Sequence, residues 1–361
     1  MLSCAAGLVD RLMDRREFIK TAAFGAAGLG VNTSNAAPQP DGKPFKFLVF
    51  TDIHYLPGDW TNDTPEFLEK VLARAERENC QMVIQLGDMI HGVRKPSRAA
   101  MSDYLKIYND FKIPTYHVMG NHDADRSSLA ETMAAFRMEK LHYYFDMGGF
   151  RFVVCDPNYT IVDGRYVHHE WGNYFKWSRS KPFIVMPPEQ LEWLLDTLRS
   201  SPYPCVVFSH EGFERPRYSE GVWNKDAVQA IFHEVNARWP RRVLMAACGH
   251  YHVGNMSIID NIPYWEVNGA NFFSCGRNHK CYPPEYAAKH IACGHNIAWA
   301  EPLSAVVSLY PNGRIKIDGM KTDYLFGVTC EMAGFPNHDD CGRFVKPEIE
   351  SADFILPPKL S

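Results

Sequence analysis

Short, nearly uninterrupted apolar runs recur along the chain, and each ends in a polar cluster. Phe45 to Phe50 leads into Thr51-Asp52-Ile53-His54, Met82 to Leu86 into Gly87-Asp88, and Thr115 to Met119 into Gly120-Asn121-His122-Asp123. Phe152 to Cys155 leads into Asp156, Cys205 to Phe208 into Ser209-His210, and Val243 to Ala247 into Cys248-Gly249-His250-Tyr251-His252. Runs without polar alternation are the pattern of strands covered on both faces. Between them, Thr64 to Asn79 carries apolar residues at 67, 68, 71, 72 and 75, a helical spacing opened by Thr64-Pro65-Glu66 as cap and first turn. Pro188 to Arg199 repeats that spacing through Leu191, Leu194, Leu195 and Leu198. Strand alternating with helix predicts α/β layers, with any site beyond the carboxyl ends of the strands.

The pattern then changes. Tyr264 to Val267 and Ala305 to Leu309 read as strands, and Tyr310 to Ile317 as a hairpin returning through Asn312-Gly313. Residues 156–187 form a long aromatic and histidine-rich connection, expected to be a lid-like insertion that includes His168, His169 and Trp171. No periodicity is visible after about residue 320, so 321–361 reads as an irregular tail. The organisation expected is a leader (1–37), a linker (38–44), one domain (45–320) and the tail.

Composition narrows the class. The 361 residues are 46% hydrophobic and 22% charged, enough for a full core and against disorder as the main theme. A net charge of -4 supplies no basic field for a large nucleic-acid footprint. No stretch approaches the roughly 18 apolar residues of a spanning helix, so no transmembrane helix is expected in the mature chain. Arg15-Arg16-Glu17-Phe18-Ile19-Lys20, followed by an Ala- and Gly-rich run to Val31, resembles a twin-arginine export signal, with cleavage expected after Ala36 or Ala37. That implies passage through the twin-arginine translocation machinery to a periplasmic or otherwise exported location. Residues 1–12 add nothing to the signal, which leaves Met13 as a second candidate start.

The candidate chemistry lies at the strand ends: Asp52, His54, Asp88, Asn121, His122, Asp123, His210, His250 and His252. Taken singly, each histidine reads as a satisfied core or surface residue; jointly, at strand ends, they read as ligands. Oxygen and imidazole donors without thiolates suit divalent ions such as Mn, Fe or Zn. Seven ligand candidates exceed one tetrahedral site and suit two ions bridged by a carboxylate.

In order and spacing, Asp52-x-His54, Gly87-Asp88, Gly120-Asn121-His122-Asp123, His210 and Gly249-His250-x-His252 resemble the calcineurin-like metallophosphoesterase superfamily over about 45–320. The resemblance implies two packed mixed β-sheets flanked by helices, a four-layer α/β sandwich. It implies that Asp52, His54 and His252 hold one divalent ion, Asn121, His210 and His250 the other, and that Asp88 bridges. The implied reaction is hydrolysis of a phosphate ester or anhydride in a small phosphorylated substrate by a metal-bridging hydroxide. His122 would protonate the leaving oxygen and Asp123 would fix its tautomer. His91 stands where the purple acid phosphatase branch has its iron-binding tyrosine, so no tyrosinate charge-transfer band is expected. Tyr143-Tyr144-Phe145, Gln190 to Leu194 and Trp223 to Asp226 are loosely similar to the branch holding manganese-dependent nucleotide pyrophosphatases and cyclic-nucleotide phosphodiesterases. That likeness does not separate the three substrate classes; a phosphodiester or nucleotide pyrophosphate is slightly favoured, with a phosphomonoester on the same fold as the alternative. An exported metal-binding or interaction protein without turnover is the reading from another class, and the intact His122-Asp123 pair argues against it.

The remaining candidates are weaker. His168, His169, Trp171, Asn268 and Asn271 are possible substrate contacts, and Trp223 to Asp226 is expected mainly to cap a helix. Of the ten cysteines, Cys80, Cys155, Cys205 and Cys248 lie in or beside strand runs and should be buried. Cys275, Cys281, Cys293, Cys330 and Cys341 fall in turn-rich sequence where one or two disulfides could form after export.

Overall fold

The computed structural model describes residues 42–56, 61–62, 64–91, 98–174, 183–276 and 278–357. The expected leader and Cys4 lie outside them, as do part of the linker and part of the 156–187 insertion.

In chain order the strands begin with β1 (Phe45–Phe50), β2 (Met82–Gln85), β3 (Thr115–His117), β4 (Tyr143–Met147), β5 (Phe150–Val154), β6 (Tyr159–Val162) and β7 (Arg165–His168). β8 (Cys205–Phe208), β9 (Val243–Cys248), β10 (Asn255–Ile259), β11 (Ile262–Glu266), β12 (Phe272–Ser274) and β13 (Asn296–Ala298) follow. β14 (Ala305–Leu309), β15 (Arg314–Asp318), β16 (Met320–Lys321), β17 (Glu348–Ile349) and β18 (Ala352–Ile355) complete them. The helices are α1 (Thr64–Arg77), α2 (Arg98–Asn109), α3 (Leu129–Ala135), α4 (Pro188–Ser200), α5 (Lys225–Arg238) and α6 (Pro284–Lys289).

Two mixed sheets carry the fold, in the orders β18-β15-β14-β1-β2-β3 and β10-β11-β9-β8-β5-β4. In the first, β1, β2 and β3 are parallel and β14, β15 and β18 antiparallel. In the second, β5, β8, β9 and β11 are parallel, with β4 and β10 as antiparallel edges. The two-residue period of β1 explains a hydrophobic run broken only at Lys46. Phe45, Phe47 and Val49 face the second sheet, where they join Phe152 and Phe208, while Leu48 and Phe50 face α1 and α2. Phe47 meets Phe152 and Phe208 edge-on, with centroids 5.7 and 6.0 Å apart, a favoured geometry for ring quadrupoles. On the other side, α4 and α5 bury their leucines and Ile231, Phe232 and Val235 against Val153, Val207 and Val243. The result is the expected α/β/β/α sandwich.

Particular expectations meet different fates. The helices over 64–77 and 188–200 and the hairpin between β14 and β15 are present, and Gly313 takes the turn's positive φ of 85°. Within the 156–187 connection, β6 and β7 pair as a hairpin through Asp163-Gly164, both at positive φ. The irregular tail is a correction. β18 adds an edge to the first sheet, β17 pairs with β16, and Val328, Cys330, Val345, Ile349 and Leu356 enter the core between the sheets. Strands of two to four residues with half-exposed side chains leave too little periodicity to read. The four cysteines expected inside are buried, as are Cys293 and Cys330; the nine cysteines among the described residues are all free thiols. Asn224 does not cap α5 through its side chain; it pairs both ways with the Met186 backbone, tying α5 to the segment before α4. Among the described residues no helix is long and apolar enough to cross a membrane.

Candidate metal centre

The loops after β1, β2, β8 and β9 converge because their backbones hydrogen-bond past the strand ends. Asp52 and His54 donate N–H bonds to the carbonyls of Gly87 and Asp88 at 3.1 and 3.0 Å, and Gly249 donates to His210 at 2.9 Å. Asp52, His54, Asp88, His250 and His252 all sit at positive φ, between 51° and 75°. That region costs a non-glycine residue on the order of 1–2 kcal/mol, so its concentration here marks backbone strained to aim side chains. The neighbouring glycines make room: a Cβ on Gly87, at φ 104°, would stand 2.2 Å from His210 Nδ1, and one on Gly249 would stand 1.9 Å from Thr51 Oγ1.

Two groups result, Asp52 with His54 and His252, and Asp88 with His210 and His250. Within the first, His54 Nε2 lies 3.1 Å from His252 Nε2 and 3.7 Å from Asp52 Oδ1. Within the second, His210 Nε2 lies 3.2 Å from both Asp88 Oδ2 and Asn121 Oδ1, and 3.3 Å from His250 Nδ1. Asp88 Oδ2 is also 3.7 Å from His54 Nε2, which puts one carboxylate between the groups.

The other ring nitrogens decide what these close approaches mean. His252 Nδ1 donates to the Phe272 carbonyl at 2.6 Å and His210 Nδ1 to the Leu86 carbonyl at 2.7 Å, so in the neutral rings both Nε2 atoms carry lone pairs. His250 Nε2 meets Glu220 Oε2 at 2.9 Å, and His54 Nδ1 meets His91 Nδ1 at 2.9 Å. Lone pairs therefore face lone pairs and carboxylates in a buried space, an arrangement that is repulsive unless a cation or proton lies between them. Asp52 Oδ1 and Asn121 Nδ2 are buried without hydrogen-bond partners. Burial opposes charge on Asp52, but His252, His54 and His210 outweigh it and hold the carboxyl well below its usual range. The donor set fits two divalent ions, each with protein groups orienting its histidines from behind.

His122 lies beside this centre, its ring centroid 5.3 Å from that of His54. Burial works against its charged form, yet Asp88 and Asp125 outweigh burial and raise its pKa to about 9. The carboxylate it meets is Asp125, with Nδ1 and Oδ2 2.7 Å apart, not Asp123 as expected from adjacency. Asp123 instead accepts backbone N–H bonds from Asp88, Ile90 and Gly120, and so holds the loop that presents Asp88. The physical reason is the tight turn over 121–126: residues three apart share a face, and neighbours do not.

The expected substrate contacts are mostly committed elsewhere. His168 is buried between Asp156 Oδ2 at 2.9 Å and the His169 carbonyl at 2.7 Å, and His169 is buried against Thr160. Asn268 donates to the Lys346 and Glu348 carbonyls, while Asn271 donates to Ile53 and accepts from Asn62. Trp171 alone of the five is well exposed, at 59%, and its N–H bond to Ala124 keeps it beside the His122 turn. Glu220 carried no signal in the sequence, and Tyr174 stood out only as one of the aromatic residues of the 156–187 connection. Tyr174 donates to Glu220 Oε2 at 3.0 Å, and its ring stands between those of His122 and His250, 6.2 and 6.5 Å away.

The calcineurin-like phosphoesterase pattern matches residues 45–254, more than half of the chain. The chain belongs to that family. Among solved structures, this calcineurin-like phosphoesterase is similar to a dimetal phosphatase from Danio rerio, with 17% identity, 87% of this chain and all of that one covered, and a TM-score of 0.54. It is also similar to GAP50, the anchor in the inner membrane complex of Plasmodium, with 11% identity, 88% and 90% coverage, and a TM-score of 0.49. At such identities the likeness concerns the fold. No curated protein sequence matches the chain.

Proposed function

We propose that this phosphoesterase is a dinuclear metal-dependent hydrolase of a small phosphate ester or anhydride, with a phosphodiester or nucleotide pyrophosphate preferred to a monoester. The observation that carries the reading is the convergence of the His210 and His252 Nε2 atoms, whose Nδ1 atoms are committed to backbone carbonyls, on Asp88 and Asp52, flanking a shared carboxylate. Two divalent ions of the Mn, Fe or Zn kind, when bound, would neutralise phosphoryl oxygens and acidify the attacking water. Asp52, His54 and His252 would hold one, Asn121, His210 and His250 the other, with Asp88 between them.

The chain's own groups do the rest. Asp125 accepts from His122 Nδ1, so the proton passed to a leaving oxygen comes from Nε2. Asp123 keeps the Asp88 backbone in place, and Glu220 orients His250. Trp171 lies on the rim, where an exposed ring can rest against a substrate's leaving group.

The direct test is turnover after Mn, Zn or Fe reconstitution with p-nitrophenyl phosphate, bis-p-nitrophenyl phosphate and nucleotide diphosphate esters in parallel. Faster turnover of the diester or the diphosphate esters is the expected outcome; two bound ions with no turnover on any substrate would favour a binding role instead. Residues 1–37 support export by the twin-arginine route. Lysine at both Arg15 and Arg16 should leave the protein in the cytoplasmic fraction, and unchanged export would rule that route out.

A further inference from the structure

The segment after residue 320 reaches the back of the metal loops, outside the part of the chain that the family pattern covers. Its Asp339 accepts N–H bonds from Cys341 and Arg343 through Oδ1, a turn that presents Oδ2 to Arg215 Nη2 at 2.7 Å. Arg343 in turn pairs with Glu266 and, at 2.7 Å, with Glu214. Arg215, only 1% exposed, closes the set by pairing with Glu266 through Nε at 2.7 Å and Nη2 at 3.0 Å.

This buried cluster touches the metal loops through one ring. The Arg215 guanidinium lies over Tyr251, 3.8 Å from its centroid, and Tyr251 is the residue between His250 and His252. The Tyr251 hydroxyl accepts from the Gly212 N–H at 2.9 Å and donates to the Glu220 carbonyl at 3.3 Å. Ser219 bonds both Arg215 Nη1, at 3.0 Å, and Asp340, at 2.6 Å. The loop that carries His210 and the loop that carries His250 are thus fastened to the same cluster. Asp52 and His54 come from the β1 loop, and Asp88 and Asn121 from the loops after β2 and β3; none of these four bonds to it.

We propose that the Asp339–Arg343 segment is a positioning strap that sets the affinity of the second metal position through Arg215 and Tyr251. It rests on the dinuclear reading above. The strap acts on both histidines of the ion assigned to Asn121, His210 and His250, but on only one ligand, His252, of the other ion. Loosening it should therefore separate two affinities that would otherwise fall together.

The test counts ions per chain by elemental analysis across a chelator series, in the wild type and in Arg343→Gln, Asp339→Asn and Tyr251→Phe. The metal-free variants are compared by circular dichroism. Arg343→Lys, which keeps the charge, serves as the milder variant should Arg343→Gln fail to fold. The expected result is that each variant loses one ion at roughly ten- to a hundredfold lower chelator while keeping the second, the usual effect of removing a group behind a metal ligand. Excess metal should restore kcat with little change in KM. Parallel loss of both ions, or no loss beyond the wild type, would overturn the strap. A wild type that holds fewer than two ions would instead overturn the dinuclear reading.

Discussion

Replacing His122 with Gln should leave two ions bound and lower kcat by about 10²–10⁴, the usual contribution of a positioned general acid. The ring is partly accessible and belongs to neither metal group, so its loss removes no ligand. The deficit should be largest for an alkoxide leaving group and smallest for p-nitrophenolate, which departs without a proton. That dependence separates proton donation from mere positioning. Asp125→Asn should fall between wild type and His122→Gln, because Asp125 orients the ring and supports its charge but does not reach the substrate. Loss of metal from His122→Gln, or a deficit equal for both leaving groups, would remove His122 from the role of acid.

Asp88→Asn should have a different signature, loss of metal before loss of fold. Asp88 is buried, and its Oδ2 faces His54 in one group and His210 in the other. A neutral amide there takes one negative charge from both positions at once. In the wild type, an ion at 1,000 times its Kd should raise stability by about 4 kcal/mol, by mass action on the folded state alone. Most of that metal-induced shift in Tm should vanish in Asp88→Asn, with at most one ion retained and turnover lost. Metal-free Asp88→Asn should melt somewhat below metal-free wild type, because burial opposes the Asp88 charge but His210, His122 and His54 outweigh it and hold the carboxyl well below its usual range; the metal-induced shift is therefore read from each protein's own metal-free Tm. Two retained ions with an unchanged Tm shift would show that Asp88 does not bridge.

Both results depend on geometry maintained at a cost. Five of the ligand candidates occupy the left-handed region, each disfavoured by on the order of 1–2 kcal/mol, and several carboxylates and imidazoles are gathered away from water. The two sheets offset this with their shared core, including the aromatic packing of Phe47, Phe152 and Phe208. A rigid layered core makes strained loops affordable at its edge, and bound ions would then favour the strained form over alternatives.

The sequence by itself determined the strands, because β1, β2, β8 and β9 are buried on both faces and so are apolar almost throughout, Lys46 and Gln85 being the exceptions. It also determined which residues stand at their ends, since a candidate ligand two to four positions past a strand is placed close to that strand's end. Only the tertiary structure decided what stands behind the ligands. Adjacency pointed to Asp123 as the partner of His122, but the turn brings Asp125 round and sends Asp123 to the backbone of the Asp88 loop. His168, Asn268 and Asn271 looked available for substrate, yet each satisfies a buried group contributed from elsewhere in the fold. Glu220 meets His250 across 30 positions of chain, and Arg343 meets Glu266 across 77, separations over which no spacing rule operates. Strand burial writes itself into every residue of a run, whereas a hydrogen-bond partner needs only one polar side chain that could face in many directions. Packing chooses among those directions, which is why the strand-end residues that gather into the two candidate metal groups were legible in the sequence and the groups that orient them were not.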